Sequence, residues 1–427
     1  MKHREKAMCC LLLLSVIFSG LAIAQGDTTL APKIVSRVVP ILHWGAFAAM
    51  LPLIKWSRIT RVQFFCVLAT VAWLALHNLH VAAGTPPGGG LLQALLLVEF
   101  IFIPEHIWAR VLKMYRYVII AMSAYGIAAY ISFLANLGLP HDLVVYYGEN
   151  TNNSMYANYY LSYILVQSDG LRLCGMFNEP GYLGTVIALL LLTERVNLKR
   201  PGNIVMFAAG CLTMSMAYWM ILIVGGLLMS LRKTKHIIIA AVAMFALLFV
   251  VNNVQFEDKG INNLIERFQY DEQKGSFKGD NRRSSRYKQV EKRFSEEDNK
   301  VFGEGTNSVR LNNVGSFCSY KTYVIEWGYL GFFITYGLLL LAGYFYCRGN
   351  YRALVFLLCF ALSVYQRPNV FTTTYWLILF AGILKIREGL PRAAEATEAT
   401  GASDIFGPSA PPCAAPGPQI PQKTIFQ

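Results

Sequence analysis

Charge is what this sequence has least of. Asp, Glu, Lys and Arg make up 15% of its 427 residues, against about 25% in an ordinary soluble protein. Most of its long apolar runs lack the polar face that a surface helix needs, which excludes a soluble helical core as their explanation. Metal-ligand patterns are lacking too. The nine cysteines are scattered, with no C-x-x-C and no Cys/His spacing, so no metal site is expected. No internal repeat is visible. The net charge is +13, but about half of the basic residues fall in short linkers between apolar runs, the pattern of cytoplasmic membrane loops rather than of a nucleic-acid surface.

What is there is apolar: 55% of the chain, in segments that recur along most of its length. The expected fold is all-α, a polytopic integral membrane protein. Met8–Ala24 follows Lys2, Arg4 and Lys6 and reads as an uncleaved first span, although Ala22-Ile23-Ala24 also resembles a signal-peptidase site. Further spans are expected at Val38–Lys55, Gln63–Ala83, Leu91–Trp108, Tyr117–Gly138, Gly181–Val196, Ile237–Val251, Tyr320–Tyr346, Tyr351–Tyr365 and Val370–Ile386. Ile204–Met214 and Met216–Leu231 read as a short pair meeting in a turn. That makes about 12 helices in a membrane domain over 1–387, each near the roughly 20 residues a crossing needs apart from the short pair. The tail at 388–427, rich in Ala, Pro, Thr and Gly, is expected to be disordered and cytoplasmic.

The short loops set the orientation. Lys55, Arg58 and Arg61; Arg110, Lys113 and Arg116; Arg195, Lys199 and Arg200; Arg232, Lys233 and Lys235; and Arg348 and Arg352 all fall on one side, and the opposing short loops carry almost no Lys or Arg. Both termini are therefore expected inside. The long loops at 139–179 and 252–319 are expected outside, the larger one between helices 9 and 10. Six tyrosines lie in the first: Tyr159, Tyr160 and Tyr163 are expected in an interfacial belt, and Tyr146, Tyr147 and Tyr156 are left open. Cys174 and Cys318, one in each outside motif region, could pair in an oxidising compartment.

Leu171–Val186 organises the rest. It sets Arg172, a glycine turn and Glu179 ahead of an apolar run. Pro180 suits the first turn of a helix and Asn178 its N-cap. Glu179 reads as a general base or as a favourable charge at the helix start. The positive end of that helix invites an anion. In the second long loop, Arg282, Arg283 and Arg286 are spaced so that two could share a helix face, and paired guanidinium groups suit phosphate. The same residues also read as a solvated charge run. Glu326 is expected to orient Lys321 or backbone. His141, His77 and His80 are expected to pack at loop or interface positions. Glu99, inside a span, is expected to face the protein interior.

In chain order the motifs are Arg-x-x-Gly-x-Phe-x-Glu-Pro-Gly (172–181), Thr213-Met214-Ser215, an arginine-led loop, Gly303-Glu304-Gly305, and Glu326-Trp327-Gly328-Tyr329-Leu330-Gly331 entering a helix. This order resembles the bacterial O-antigen polymerase and O-antigen ligase superfamily, the Wzy-like membrane glycosyltransferases, over roughly Leu171 to Phe345. The resemblance implies an inner-membrane enzyme acting on a polyprenyl-diphosphate-linked glycan, with no metal and no cofactor. A chain-length regulator and a flippase are the implied partners, besides membrane lipid. It makes Arg172 and Arg286 candidates for holding diphosphate or glycan, with Arg282 and Arg283 behind them. The ligases usually carry a histidine ahead of the Glu-x-Gly-x-x-Gly element. Here Gly315–Tyr320 has none, which favours a polymerase and leaves the base unassigned. Met216 stands where the family often has an arginine after Thr-x-Ser. A ligase is the nearest rival reading. A transporter or flippase is the rival from another class, and the chain shows no paired broken helices in matching halves.

Overall fold

The computed structural model describes residues 3–20, 41, 44–45, 47–49, 51, 59–85, 89–146, 154–167, 170–230, 270–271, 276–277, 285–296, 298–312 and 320–389. Most of the expected span Val38–Lys55, all of Ile237–Val251 and nearly all of the tail lie outside these residues.

Helices dominate the described chain. In order they are α1 (His3–Gly20), α2 (Arg61–Leu79), α3 (Leu91–Phe102), α4 (Glu105–Leu134), α5 (Pro180–Thr193), α6 (Pro201–Leu212), α7 (Met216–Ser230), α8 (Ser285–Glu296), α9 (Ser308–Leu311), α10 (Tyr320–Cys347) and α11 (Tyr351–Gln366). A last helical run follows as α12 (Thr373–Trp376), a π segment (Leu377–Ala381) and α13 (Gly382–Glu388). Among the described residues, α2, α4 and α10 are long and apolar enough to cross a membrane; α3, α5, α6, α7 and most of α11 are apolar but shorter.

The expected spans Leu91–Trp108 and Tyr117–Gly138 are divided differently. Pro104 ends the first helix early, because its ring cannot continue the preceding helical turn. The following helix starts at Glu105 and runs for 30 residues. Ile107, Trp108, Val111, Leu112, Tyr115 and Ile119 recur at helical spacing and are all buried, so the basic stretch Arg110–Arg116 is helix rather than loop. The Trp108 indole N–H donates to the Phe100 carbonyl at 2.9 Å, holding the end of α3 to α4.

The all-α expectation needs one larger correction. Where a polar loop was expected at 139–179, an antiparallel four-stranded meander forms: β1 (Asp142–Tyr146), β2 (Ser154–Asn158), β3 (Tyr163–Gln167) and β4 (Gly170–Gly175). The physical reason is a period of two with apolar residues on both faces. Ala157, Ile164 and Leu173 join the helical core, while Tyr156, Leu165 and Cys174 form a second small cluster with Tyr163. Tyr159 and Tyr163 are therefore buried in and beside the sheet instead of forming a belt, and Tyr160 is exposed. Helix α4 carries the sheet: the Tyr130 hydroxyl donates to the Leu171 carbonyl at 3.1 Å and the Tyr125 hydroxyl to the Tyr159 carbonyl at 2.8 Å.

At the centre lies α5, the helix announced by Glu-Pro-Gly. Every one of its 14 residues is buried. It packs against β4, α6, α7, α11 and the π segment. At its far end, just beyond Thr193, the buried Glu194 carboxylate meets Arg116 of α4, Arg200 ahead of α6 and Lys385 of α13. The Arg116 guanidinium also donates to Asn203 Oδ1 at 2.8 Å.

Candidate functional site

The near end of α5 gathers residues from four parts of the chain. Arg172 lies on β4 opposite Leu165 of β3. Its Nε donates to the Thr213 carbonyl at 3.1 Å and its Nη2 to the Met214 carbonyl at 3.3 Å. These are the carbonyls of the turn between α6 and α7, so the first motif grips the second. The turn is tight: Met214 has φ +47, and the Thr213 hydroxyl donates to the Gly210 carbonyl at 2.6 Å. The same turn sits directly on α5. A Cβ at Gly184 would lie 2.9 Å from Ser215 Cβ and 3.0 Å from Thr213 Oγ1, closer than a larger residue tolerates. The spacing Pro180-Gly181-x-x-Gly184 thus serves helix-on-turn packing.

Glu179, not Asn178, occupies the N-cap position of α5, and its side chain makes no capping bond. The carboxylate pairs instead with Arg367. Asn178 contributes its carbonyl, which accepts from the Tyr156 hydroxyl at 3.1 Å. Arg367 is 6% exposed and terminates α11. It opens a short link to α12, fixed by the Tyr336 hydroxyl bonding the Pro368 carbonyl. Sequence reading missed it. A signal was present: Arg367 falls between two apolar spans on the side otherwise nearly devoid of Lys and Arg.

Aromatic rings close the floor of this region. Tyr182 stacks on Phe177 with centroids 4.7 Å apart, and its ring meets Tyr375 of α12 edge-on at 5.6 Å. Each tyrosine is the third residue of its helical run, so the starts of α5 and of 373–388 converge here. Beside them, burial pushes the Cys174 thiol up to about 12, with Arg172 and Arg367 partly opposing and Glu179 adding to the rise. Cys174 is thus an inert buried thiol and is free of any disulfide. Its suggested partner, Cys318, lies outside the described residues.

The remaining motifs assemble elsewhere, at the head of α10. Gly303, Gly305 and Gly328 all have positive φ, and a Cβ at Gly303 would lie 2.3 Å from the Gly328 nitrogen. The Glu304 and Gly305 N–H groups donate to the Ile325 and Glu326 carbonyls, each at 2.8 Å, and the Leu330 N–H donates to the Val301 carbonyl at 3.1 Å. Gly-x-Gly and Glu-x-Gly are therefore the two halves of one backbone interlock. Glu326 holds backbone, accepting from the Asn307 N–H at 3.1 Å, whereas Lys321 pairs with Glu291 of α8. Thr306 ties the knot to α2: its N–H donates to the His80 carbonyl at 2.8 Å and its hydroxyl to the Leu76 carbonyl at 2.9 Å.

Of the expected site residues, Arg172 and Glu179 both lie at the near end of α5, where each bears on the Cys174 thiol. Arg286 sits in the first turn of α8, which packs through Tyr287, Val290 and Phe294 on Val309, Val324 and Ile325, against the head of α10. Arg282 and Arg283 lie outside the described residues. His77 packs between Trp73 and Trp327, and His141 stacks on Tyr159 at 4.9 Å. Glu99 is buried within α3.

Chemically, the α5 mouth offers two guanidinium groups, one carboxylate and two helix starts. Such a set favours an anion with oxygens on several sides. In comparisons with known proteins, no family model, curated protein or solved structure matches this chain.

Proposed function

We propose that this chain is a multi-pass enzyme of a bacterial inner membrane that polymerises polyprenyl-diphosphate-linked oligosaccharide repeat units into O-antigen or another surface polysaccharide. One observation carries the reading: Arg172 grips the Thr213–Ser215 turn, the turn packs on α5, and Glu179 at the start of α5 pairs with Arg367, so three separate parts of the chain gather at one anion-favouring helix mouth. In the reaction, an acceptor sugar hydroxyl attacks the anomeric carbon of the lipid-linked donor. The new glycosidic C–O bond forms as the bond to the diphosphate oxygen breaks. The diphosphate leaves with the electron pair, and the hydroxyl proton passes to a base or to water. Arg172 and the Arg282–Arg286 cluster stabilise the charge that develops on the leaving group.

Two groupings support the expected orientation, with both termini inside, of a chain read as about 12 spans. Arg116 and Arg200, which the charge rule places on the cytoplasmic side, share the Glu194 carboxylate. Arg172, Glu179 and Arg367, which it places outside, collect at the opposite end of α5. On this reading the lipid tail enters between helices and the outer loops cover the sugars. A chain-length regulator and a flippase are the working partners.

The test is the glycan itself. In cells carrying Arg172→Lys or Arg286→Ala at normal abundance, long glycans collapse to single-repeat products. Full-length glycans in both variants refute the assignment. Polymer of normal length that fails to reach its lipid acceptor would identify a ligase instead.

A further inference from the structure

We propose that the Glu179 carboxylate is a built-in stand-in for phosphate, holding on Arg367 the place that one phosphate of a lipid diphosphate takes. The inference rests on the polymerase reading for the source of the diphosphate but not for the existence of the anion site.

The ion pair comes first. Arg367 is the fixed partner: its side chain is 7% exposed, while that of Glu179 is 35% exposed. The link that carries Arg367 is pinned by the Tyr336 bond to Pro368 and by the Val370 N–H bond to the Pro368 carbonyl at 2.7 Å. Glu179 stands at the cap of α5 yet makes no side-chain bond to it. A phosphate that displaces it from the more deeply buried Arg367 therefore unmakes no helix cap. A carboxylate and a phosphate present oxygens to a guanidinium in the same forked way, so one can replace the other.

The surroundings favour the phosphate. Arg172 and Arg367 bring two positive charges near the Cys174 thiol, and Glu179 brings one negative charge. The beginnings of α5 and of the 373–388 run add the positive ends of two helices, joined through the Tyr182–Tyr375 ring contact. A single carboxylate leaves this set net positive, and the diphosphate, with one negative charge on each phosphate, balances it. Glu179 is then a gate on binding rather than the general base, and Arg367 is a binding residue beyond the motifs read from sequence.

The experiment uses the full chain purified in detergent, with inorganic pyrophosphate as the probe and binding measured calorimetrically. Glu179→Gln removes the competing charge and tightens pyrophosphate binding about tenfold; Arg367→Lys loses the fork and weakens it about tenfold. Arg367→Lys keeps the charge beside Glu179 and so keeps the fold, and Glu179→Gln with Arg367→Gln, a neutral pair, abolishes binding. Unchanged or weaker binding by a folded Glu179→Gln overturns the proposal, as does undetectable binding by both the unsubstituted chain and Glu179→Gln. If pyrophosphate binding follows the expected order but Arg172→Lys and Arg286→Ala cells keep long glycans, the site stands and the polymerase reading falls. If those cells lose long glycans while Glu179→Gln leaves binding unchanged, the polymerase reading stands and this one falls.

Discussion

Arg172 shows how one residue can belong to a site and to the fold at once. Its guanidinium spans two carbonyls of a turn that contains a left-handed Met214. Removing the donor leaves those carbonyls to find other partners. Arg172→Ala is expected to destabilise the protein by about 1.5–3 kcal/mol, the range for hydrogen bonds to a charged group. Arg172→Lys should recover part of that stability but not the forked anion contact. Thermal unfolding in detergent, read beside glycan length, separates the two roles. Glu194 makes the complementary case. Lys385, Arg116 and Arg200 gather on its buried carboxylate. Glu194→Gln takes the shared anion from those cations and should cost about 3 kcal/mol. An unchanged melting temperature in detergent would disprove the ionic account.

At the scale of elements, the glycines of the second motif group explain themselves only in three dimensions. Gly328 has φ +67 within α10, and a Cβ there would lie 2.2 Å from the Val301 carbonyl oxygen. Gly328→Ala therefore combines backbone strain with a clash that rigid backbone cannot relieve, and should cost about 3 kcal/mol or more. Gly337, in the same helix, has nothing within 4 Å of its missing Cβ, so Gly337→Ala should stabilise by about 0.5–1 kcal/mol. Equal melting temperatures for the two variants would contradict the interlock. The order of the motifs was legible in sequence, but their use was not. Gly-x-Gly and Glu-x-Gly are two separate motifs when read along the chain. Whether one backbone lies on the other depends on the path of 301–306 between α8 and α10, which local composition does not encode. The sheet was hidden for a related reason: Tyr163-Ile164-Leu165-Val166 is apolar on both faces, so it lacks the polar alternation that marks a half-buried strand.

For the whole molecule, the strongest sequence signal was where charge is absent. Apolar runs located α2, α5, α6, α7, α10 and α11 closely, because burial in lipid or in protein makes the same demand on composition. They misplaced the boundary at Pro104, where a buried face carries basic residues in the same helix. They set Arg367 apart as a lone cation between two spans, but its meaning depends on Glu179 across the bundle. The charge rule nevertheless puts Arg116 and Arg200 on one side and Arg172 and Arg367 on the other; the first two share Glu194 beyond the far end of α5, and Arg367 pairs with Glu179 at its cap. That division is open to direct test. Leu161, between β2 and β3, is 58% exposed, and Leu198, between α5 and α6, is 40% exposed. In a chain whose native cysteines are replaced, Leu161→Cys should react with a membrane-impermeant maleimide in intact spheroplasts. Leu198→Cys should react only after permeabilisation. Labelling of both from outside would place the ends of α5 on one side of the membrane, and the reverse pattern would invert the chain. The first result would remove the crossing of the membrane by α5, and the second would remove the outer-face location that the proposed polymerase requires. Labelling of Leu161→Cys alone would put the Arg172–Glu179–Arg367 mouth on the outer face, as the proposed polymerase needs, and the Glu194 node on the inner face with Arg116 and Arg200.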